Sequence, residues 1–165
     1  PGKCRAQGRL ANDVPYPLLI IPNANLSYTL QKESFALMNP MEFIADNYVS
    51  WEAIYYMNGA LFNRLPLIKR LGWREVIDFK GFYGSLRPGN IPDVTNSHNL
   101  FLFPTPTRQT VTERTMLTST PYMELSFGIA NIFKVLEVDY VRRLTYLNVP
   151  GISKHGVRIR VHVEF

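Results

Sequence analysis

His155-Gly156-Val157-Arg158-Ile159-Arg160-Val161-His162-Val163-Glu164-Phe165 ends the sequence. From Val157 onward Val157, Ile159, Val161, Val163 and Phe165 alternate with Arg158, Arg160, His162 and Glu164. A period of two belongs to a strand, because successive side chains leave a strand on opposite faces. If the polar face meets bulk water, the strand suits a soluble sheet. If it meets a lumen while the apolar face meets lipid, it suits a strand of an outer-membrane barrel, and a terminal aromatic residue fits that setting.

Composition favours the second setting. The 165 residues amount to one domain, with 19% charged, 13% aromatic and 9 tyrosines; soluble domains carry about 25% charged residues. No run of about 18 apolar residues occurs, which excludes a transmembrane helix, and alternation dilutes the hydropathy as it does in barrels. Cys4 is the single cysteine, so neither an internal disulfide nor a cysteine metal cage can form. Pro1-Gly2-Lys3 before it is not the small apolar run of a lipoprotein cleavage site, and Cys4 reads as an incidental thiol. A start at Pro1, without initiator Met or signal peptide, carries the expectation that the true N-terminus is missing. The net charge of +5 is dispersed along alternating segments instead of being clustered, so no nucleic-acid partner is expected.

Taken in order, residues 1–33 read as an irregular lead-in broken by Gly2, Gly8, Pro15, Pro17 and Pro22, with a strand tail near Arg5 to Leu10. Residues 34–84 read as three strands. In the first, Phe35, Leu37, Met41, Phe43 and Ala45 alternate with Ala36, Met38, Glu42, Ile44 and Asp46, interrupted at Asn39-Pro40. A turn at Asp46-Asn47 would make it a hairpin with the second, where Val49, Trp51, Ala53, Tyr55 and Met57 share a face. The third runs from Trp73 to Gly84, with Arg74, Asp78 and Lys80 on its polar side and Glu75 breaking its apolar side. Between the second and third, Leu65, Ile68 and Leu71 step by three, which predicts one or two helical turns in a connector. Residues 85–120, rich in Pro, Gly, Asn, Ser and Thr, read as a long outer loop with an apolar island at Leu100 to Phe103. Residues 121–165 read as three strands: Tyr122 to Phe133, Leu136 to Tyr146, and the terminal one, with a tight connection at Lys134-Val135.

The predicted architecture is therefore all-β: an antiparallel transmembrane β-barrel segment of about six long meander strands, the C-terminal part of a larger barrel. Strands of roughly ten to twelve residues exceed the usual ~5 to 6 and match the ~9 to 11 that cross a bilayer at a tilt. Six are too few to close, since such barrels begin at about eight. An open sheet with the His155 to Phe165 edge unpaired and its valine row exposed is expected. The alternative is a soluble lipocalin-like β-barrel binding an apolar ligand, in which Glu75 and Arg142 would become buried charges.

Chemistry is sparse. His98, His155 and His162 lack metal-ligand spacing, and no GxSxG, P-loop or dinucleotide fingerprint occurs. Glu124, Glu137, Asp139, Arg143, Arg158, Arg160, His162 and Glu164 are candidates to line a lumen as paired charges. Neither a catalytic residue, a metal site nor a cofactor is predicted, and the protein is expected not to be an enzyme. Phe165 is the candidate assembly signal. The expected partners are outer-membrane lipid, the barrel-assembly machinery and the remaining N-terminal part of the same barrel, in the bacterial outer membrane.

Several separated motifs support this. Val14-Pro15-Tyr16-Pro17-Leu18-Leu19, Phe35-Ala36-Leu37-Met38-Asn39 leading to Glu42-Phe43, Asn58-Gly59 with Phe62-Asn63-Arg64-Leu65-Pro66-Leu67, Gly128-Ile129-Ala130-Asn131-Ile132-Phe133-Lys134, and Arg143-Leu144-Thr145-Tyr146-Leu147 together span nearly the whole chain. They resemble the C-terminal part of a Bacteroidetes outer-membrane protein family of unknown function that carries an N-terminal carboxypeptidase-regulatory-like β-sandwich. The resemblance implies a barrel distantly like surface-antigen and assembly-type barrels, and offers no catalytic residue. The chain departs from the family's pattern at Arg142, where an apolar residue is usual.

Overall fold

Segments that alternate apolar with polar residues suit a pleated surface with two unlike faces, and most of them form strands. A computed structural model describes residues 2–9, 19–25, 27, 29, 34–40, 42–86, 119–149 and 151–161. Among these the strands are β1 (Gly2–Arg9), β2 (Asn47–Tyr56), β3 (Arg74–Ser85), β4 (Tyr122–Ile132), β5 (Leu136–Arg143) and β6 (His155–Val161). They form one antiparallel sheet in the order β1-β2-β3-β4-β5-β6. The all-β expectation holds, and the sheet is a meander that does not close.

Two expectations about the first strands do not hold. Residues 35–40 and 42–46 are not a strand; they cross one face of the sheet as a strap, touching other segments through the single bridges Ile20 to Ala45 and Ala24 to Phe35. The alternation there is misleading because side chains of both sets are buried: Phe35, Leu37, Phe43 and Ala45 of one, Ala36, Met38 and Asp46 of the other. The amides of Ala36 and Leu37 donate to the Glu124 carboxylate at 2.9 and 2.8 Å, which removes them from any ladder. Asp46 does not turn into a hairpin either; its amide donates to Ser85 O at 2.9 Å. The strand that flanks β2 comes instead from the lead-in: β1 pairs Gly2 with Tyr55 through Arg9 with Tyr48.

Strand lengths divide. β2, β3 and β4 have 10, 12 and 11 residues, as expected, while β1, β5 and β6 have 8, 8 and 7 within the described residues. β5 ends at Arg143, shortly before the chain turns through Tyr146 at φ 54°.

The connector from β2 to β3 holds a 3-10 turn, Phe62–Arg64, and one helical turn, α1 (Pro66–Lys69), matching the three-residue step of its leucines. β4 joins β5 through a tight turn in which Asn131, Phe133 and Lys134 have positive φ. Both connections lie at one end of the sheet, the turn end; β2, β4 and β6 begin, and β3 and β5 end, at the other, the loop end. The apolar island at Leu100 to Phe103 and residues 162–165 fall outside the described residues.

The two faces are inverted relative to a soluble sheet. Among the described residues the outer face, which the connector covers at Glu75, presents Val49, Tyr55, Tyr83, Leu125, Phe127 and Tyr140 as exposed apolar side chains. On β6 the row Val157, Ile159 and Val161 is 52%, 41% and 56% exposed, and β6 is flanked by β5 and by a single bridge from Thr29. Trp51 lies flat against Gly81, where an added Cβ would come within 2.1 Å of its ring. The apolar core sits instead on the strap side, at the loop end. Phe35, Met38, Phe43 and Ala45 of the strap pack on Phe82 and Tyr122 of the sheet. Phe35 meets Tyr122 edge-on at 5.5 Å, and Phe43 meets Tyr146 at 5.2 Å. Each such ring removed would cost about 3–5 kcal/mol.

Candidate functional site

Strand parity sends the polar residues inward, beneath the strap. Glu52 on β2, Asp78 and Lys80 on β3, Glu124 on β4, Glu137, Asp139 and Arg143 on β5, and Arg158 and Arg160 on β6 all share this face. Asp78, Lys80, Glu124, Glu137, Asp139 and Arg143 are buried. Buried ions persist when paired and hydrogen-bonded, and here they sort into two groups.

The first group holds the strap. Arg143 donates to both carboxylate oxygens of Glu42, at 3.0 and 2.5 Å, with its side chain fully buried and its guanidinium 4.7 Å from the Tyr122 ring centre. Glu124 takes the two strap amides and the Tyr122 hydroxyl, the last at 2.5 Å. Arg158 donates to Ala36 O at 2.6 Å and Lys80 to Ser34 O at 3.2 Å. Carboxylates bonded to amides and bidentate arginine pairs are among the stronger hydrogen bonds available; they fix the strap's path across the sheet.

The second group lies nearer the turn end and centres on Arg160. Its Nη2 donates to Asp78 Oδ2 at 3.1 Å, and its Nη1 lies 3.6 Å from Glu137 Oε1. Its Nε sits 2.8 Å from Asp139 Oδ2, an ionic contact whose angle falls short of a hydrogen bond. Lys80 adds a pair with Glu52 at 2.7 Å and a longer one with Asp78 at 3.7 Å. Gly128, directly across from Asp139, makes room for it: a Cβ there would stand 2.1 Å from Asp139 Oδ1. Below this group a cavity of about 400 Å³, lined among others by Lys3, Tyr56, Arg74, Lys134 and Glu137, opens at the turn end.

Of the eight residues singled out from the sequence, Glu124, Arg143 and Arg158 are thus in the strap group and Glu137, Asp139 and Arg160 in the turn-end group. His162, Glu164 and Phe165 lie outside the described residues. Sequence reasoning missed Glu42, whose partner is 101 positions away, and Ser34, whose carbonyl accepts from Lys80. Glu75 has a role of its own. It belongs by parity to the outer face, yet it is fully buried because the connector folds over it and donates the amides of Leu61 and Phe62 to Oε1, at 3.0 and 2.5 Å.

Chemically this face can hold charge and shape a polar interior. Among the described residues no group of three or more His, Cys, Asp or Glu is placed to hold a metal ion. Its carboxylates are engaged by cations or amides rather than set against a nucleophile. His155 stands away from them, stacked on Tyr140 with ring centres 6.4 Å apart. Compared with protein-family models, curated proteins and solved structures, the chain matches none.

Proposed function

We propose that this chain is part of a bacterial outer-membrane β-barrel whose interior is occupied by the strap at residues 34–46, with a non-enzymatic structural, transport or surface-associated role. The observation that carries this is the inverted polarity. Among the described residues a broad, exposed apolar face lies on one side of the sheet, and a paired-charge network lies buried on the other. Exposed apolar patches of this extent mark a surface meant for lipid or a partner, and apolar-out, polar-in alternation is the barrel pattern. A lipocalin-like carrier would instead turn apolar residues to its interior. Among the described residues β1 pairs only with β2, and β6 has only the Thr29 bridge beyond β5; such edges call for further pairing, because unpaired backbone groups in hydrocarbon cost several kcal/mol each. The proposal includes the resemblance to the Bacteroidetes family and Phe165 as the residue read by the barrel-assembly machinery.

The test is fractionation of cells producing the full-length protein. It should appear in the outer-membrane fraction, partition into detergent and show a heat-dependent shift on gels, and deleting Phe165 should lower its outer-membrane level. Quantitative recovery as a folded aqueous monomer would sink the membrane reading.

A further inference from the structure

We infer that the turn end of the sheet is a lipid-interface anchor selective for anionic headgroups, formed by the β2–β3 connector and the β4–β5 turn. The inference rests on the membrane reading and adds what that reading leaves open, namely which lipid chemistry one rim of the sheet engages.

The connector does not hang free below the strands. It folds back over the outer face, as the burial of Glu75 and its two bonds to Leu61 and Phe62 require, and Phe62 packs edge-on against Trp73 at 6.4 Å. Asn131 Nδ2 donates to Gly72 O at 2.7 Å, which ties the β4–β5 turn to the connector. The two connections therefore present one surface, continuous with the apolar outer face of the strands.

That surface pairs apolar tips with uncompensated positive charge. Leu67 and Phe133 are 84% and 85% exposed, more than any other large apolar residue described, and Phe133 is held outward in a turn at φ 50°. From Met57 to Trp73 the sequence has three cations, Arg64, Lys69 and Arg70, and no acid. Lys134 adds a fourth beside Phe133. Glu75, next along the chain, is turned onto the connector's amides, and Glu137, which lines the turn-end cavity with Lys134, is shared with Arg160. Leucine and phenylalanine tips want hydrocarbon, and exposed cations without carboxylates want anions. A layer of anionic phospholipid supplies both within a few ångströms, as amphipathic segments lying in a bilayer interface exploit.

The test uses the full-length protein in a Cys4→Ser background, carrying a fluorescent label at Leu67→Cys on the rim or at Leu125→Cys on the strand face. It is reconstituted into phosphatidylcholine vesicles containing a minority of phosphatidylglycerol, with bromine quenchers placed on one lipid or the other. The rim label should be quenched more by brominated phosphatidylglycerol than by brominated phosphatidylcholine at equal mole fraction. Arg64→Gln/Lys69→Gln/Arg70→Gln should abolish that preference, each cation carrying about a fivefold effect in binding. Equal quenching by the two lipids in the wild type overturns the anion selectivity. An unquenched rim label beside a quenched strand label overturns the anchor and leaves the barrel reading standing. A quenched rim label beside an unquenched strand label does the reverse, and two unquenched labels overturn both.

Discussion

Arg160 on β6 reaches Asp78 on β3 at 3.1 Å although β4 and β5 lie between them. Neighbouring strands stand about 4.8 Å apart, so in a flat sheet these strands would be about 14 Å apart. The contact is a chord across a strongly rolled sheet. It brings carboxylates from β3 and β5 onto one guanidinium, so charges far apart along the sheet become neighbours.

A cross-link reads that curvature directly. In a Cys4→Ser background, Asp78→Cys/Arg160→Cys should be joined by a short bifunctional thiol reagent in the folded protein, and not after urea denaturation. Ile77→Cys/Ile159→Cys, on the outer face of the same two strands, should not be joined. Equal yields for the two pairs would mean that the sheet is flat.

The pair Arg143 and Glu42 should behave as a buried ion pair. Arg143→Met alone is expected to destabilise the folded form by about 3–5 kcal/mol, because it strands the Glu42 carboxylate under the strap. Arg143→Met/Glu42→Met should recover most of the loss. Urea titration of the folded form measures this, and additive effects in the double variant would show that the two side chains act independently.

Gly128→Ala should cost about 1–3 kcal/mol by the same assay, since its methyl group would occupy the place of the Asp139 carboxylate. Gly128→Ala/Asp139→Ala should be closer to wild type than Gly128→Ala. Gly151→Ala is a useful contrast: nothing stands within 4 Å of its Cβ position, and only its φ of 74° opposes the change.

Much of the sheet was legible because β3, β4, β5 and β6 alternate almost without interruption, and alternation alone assigns faces. The strap was not, because alternation cannot tell a half-buried strand from a segment buried on both sides. Phe35, Leu37 and Phe43 are matched by Ala36, Met38 and Ile44, so only Glu42 and Asp46 mark a polar face, and Asp46 is itself buried. β1 was obscured for the opposite reason: Gly2, Cys4, Ala6 and Gly8 are too small to announce an apolar face. Of the site, the shared face of Glu124, Glu137, Asp139, Arg143, Arg158 and Arg160 could be read from parity. Their division into two groups could not, since it depends on the roll of the sheet and on Glu42 arriving from a distant segment.

On the outer face, Phe127→Arg should reduce the outer-membrane level and cost about 2–4 kcal/mol in a bilayer, the range for a cation near the midplane. Arg142→Leu should be neutral or mildly stabilising. Arg142 stands one residue from the end of β5, where a long cationic side chain can reach the headgroups. Unchanged membrane levels for Phe127→Arg would argue that this face meets water.

The strap also has a place in time. It lies in the chain between β1 and β2, so the pairing of Gly2 with Tyr55 must enclose it, whereas β2 through β6 join neighbours without it. Closing a long loop costs entropy before any distant contact repays it. The meander from β2 to β6 can therefore zip early, and the strap must settle onto Glu124 and Arg143 before or together with the docking of β1. Within this sheet β1 would then dock last, with the interior filled as it arrives.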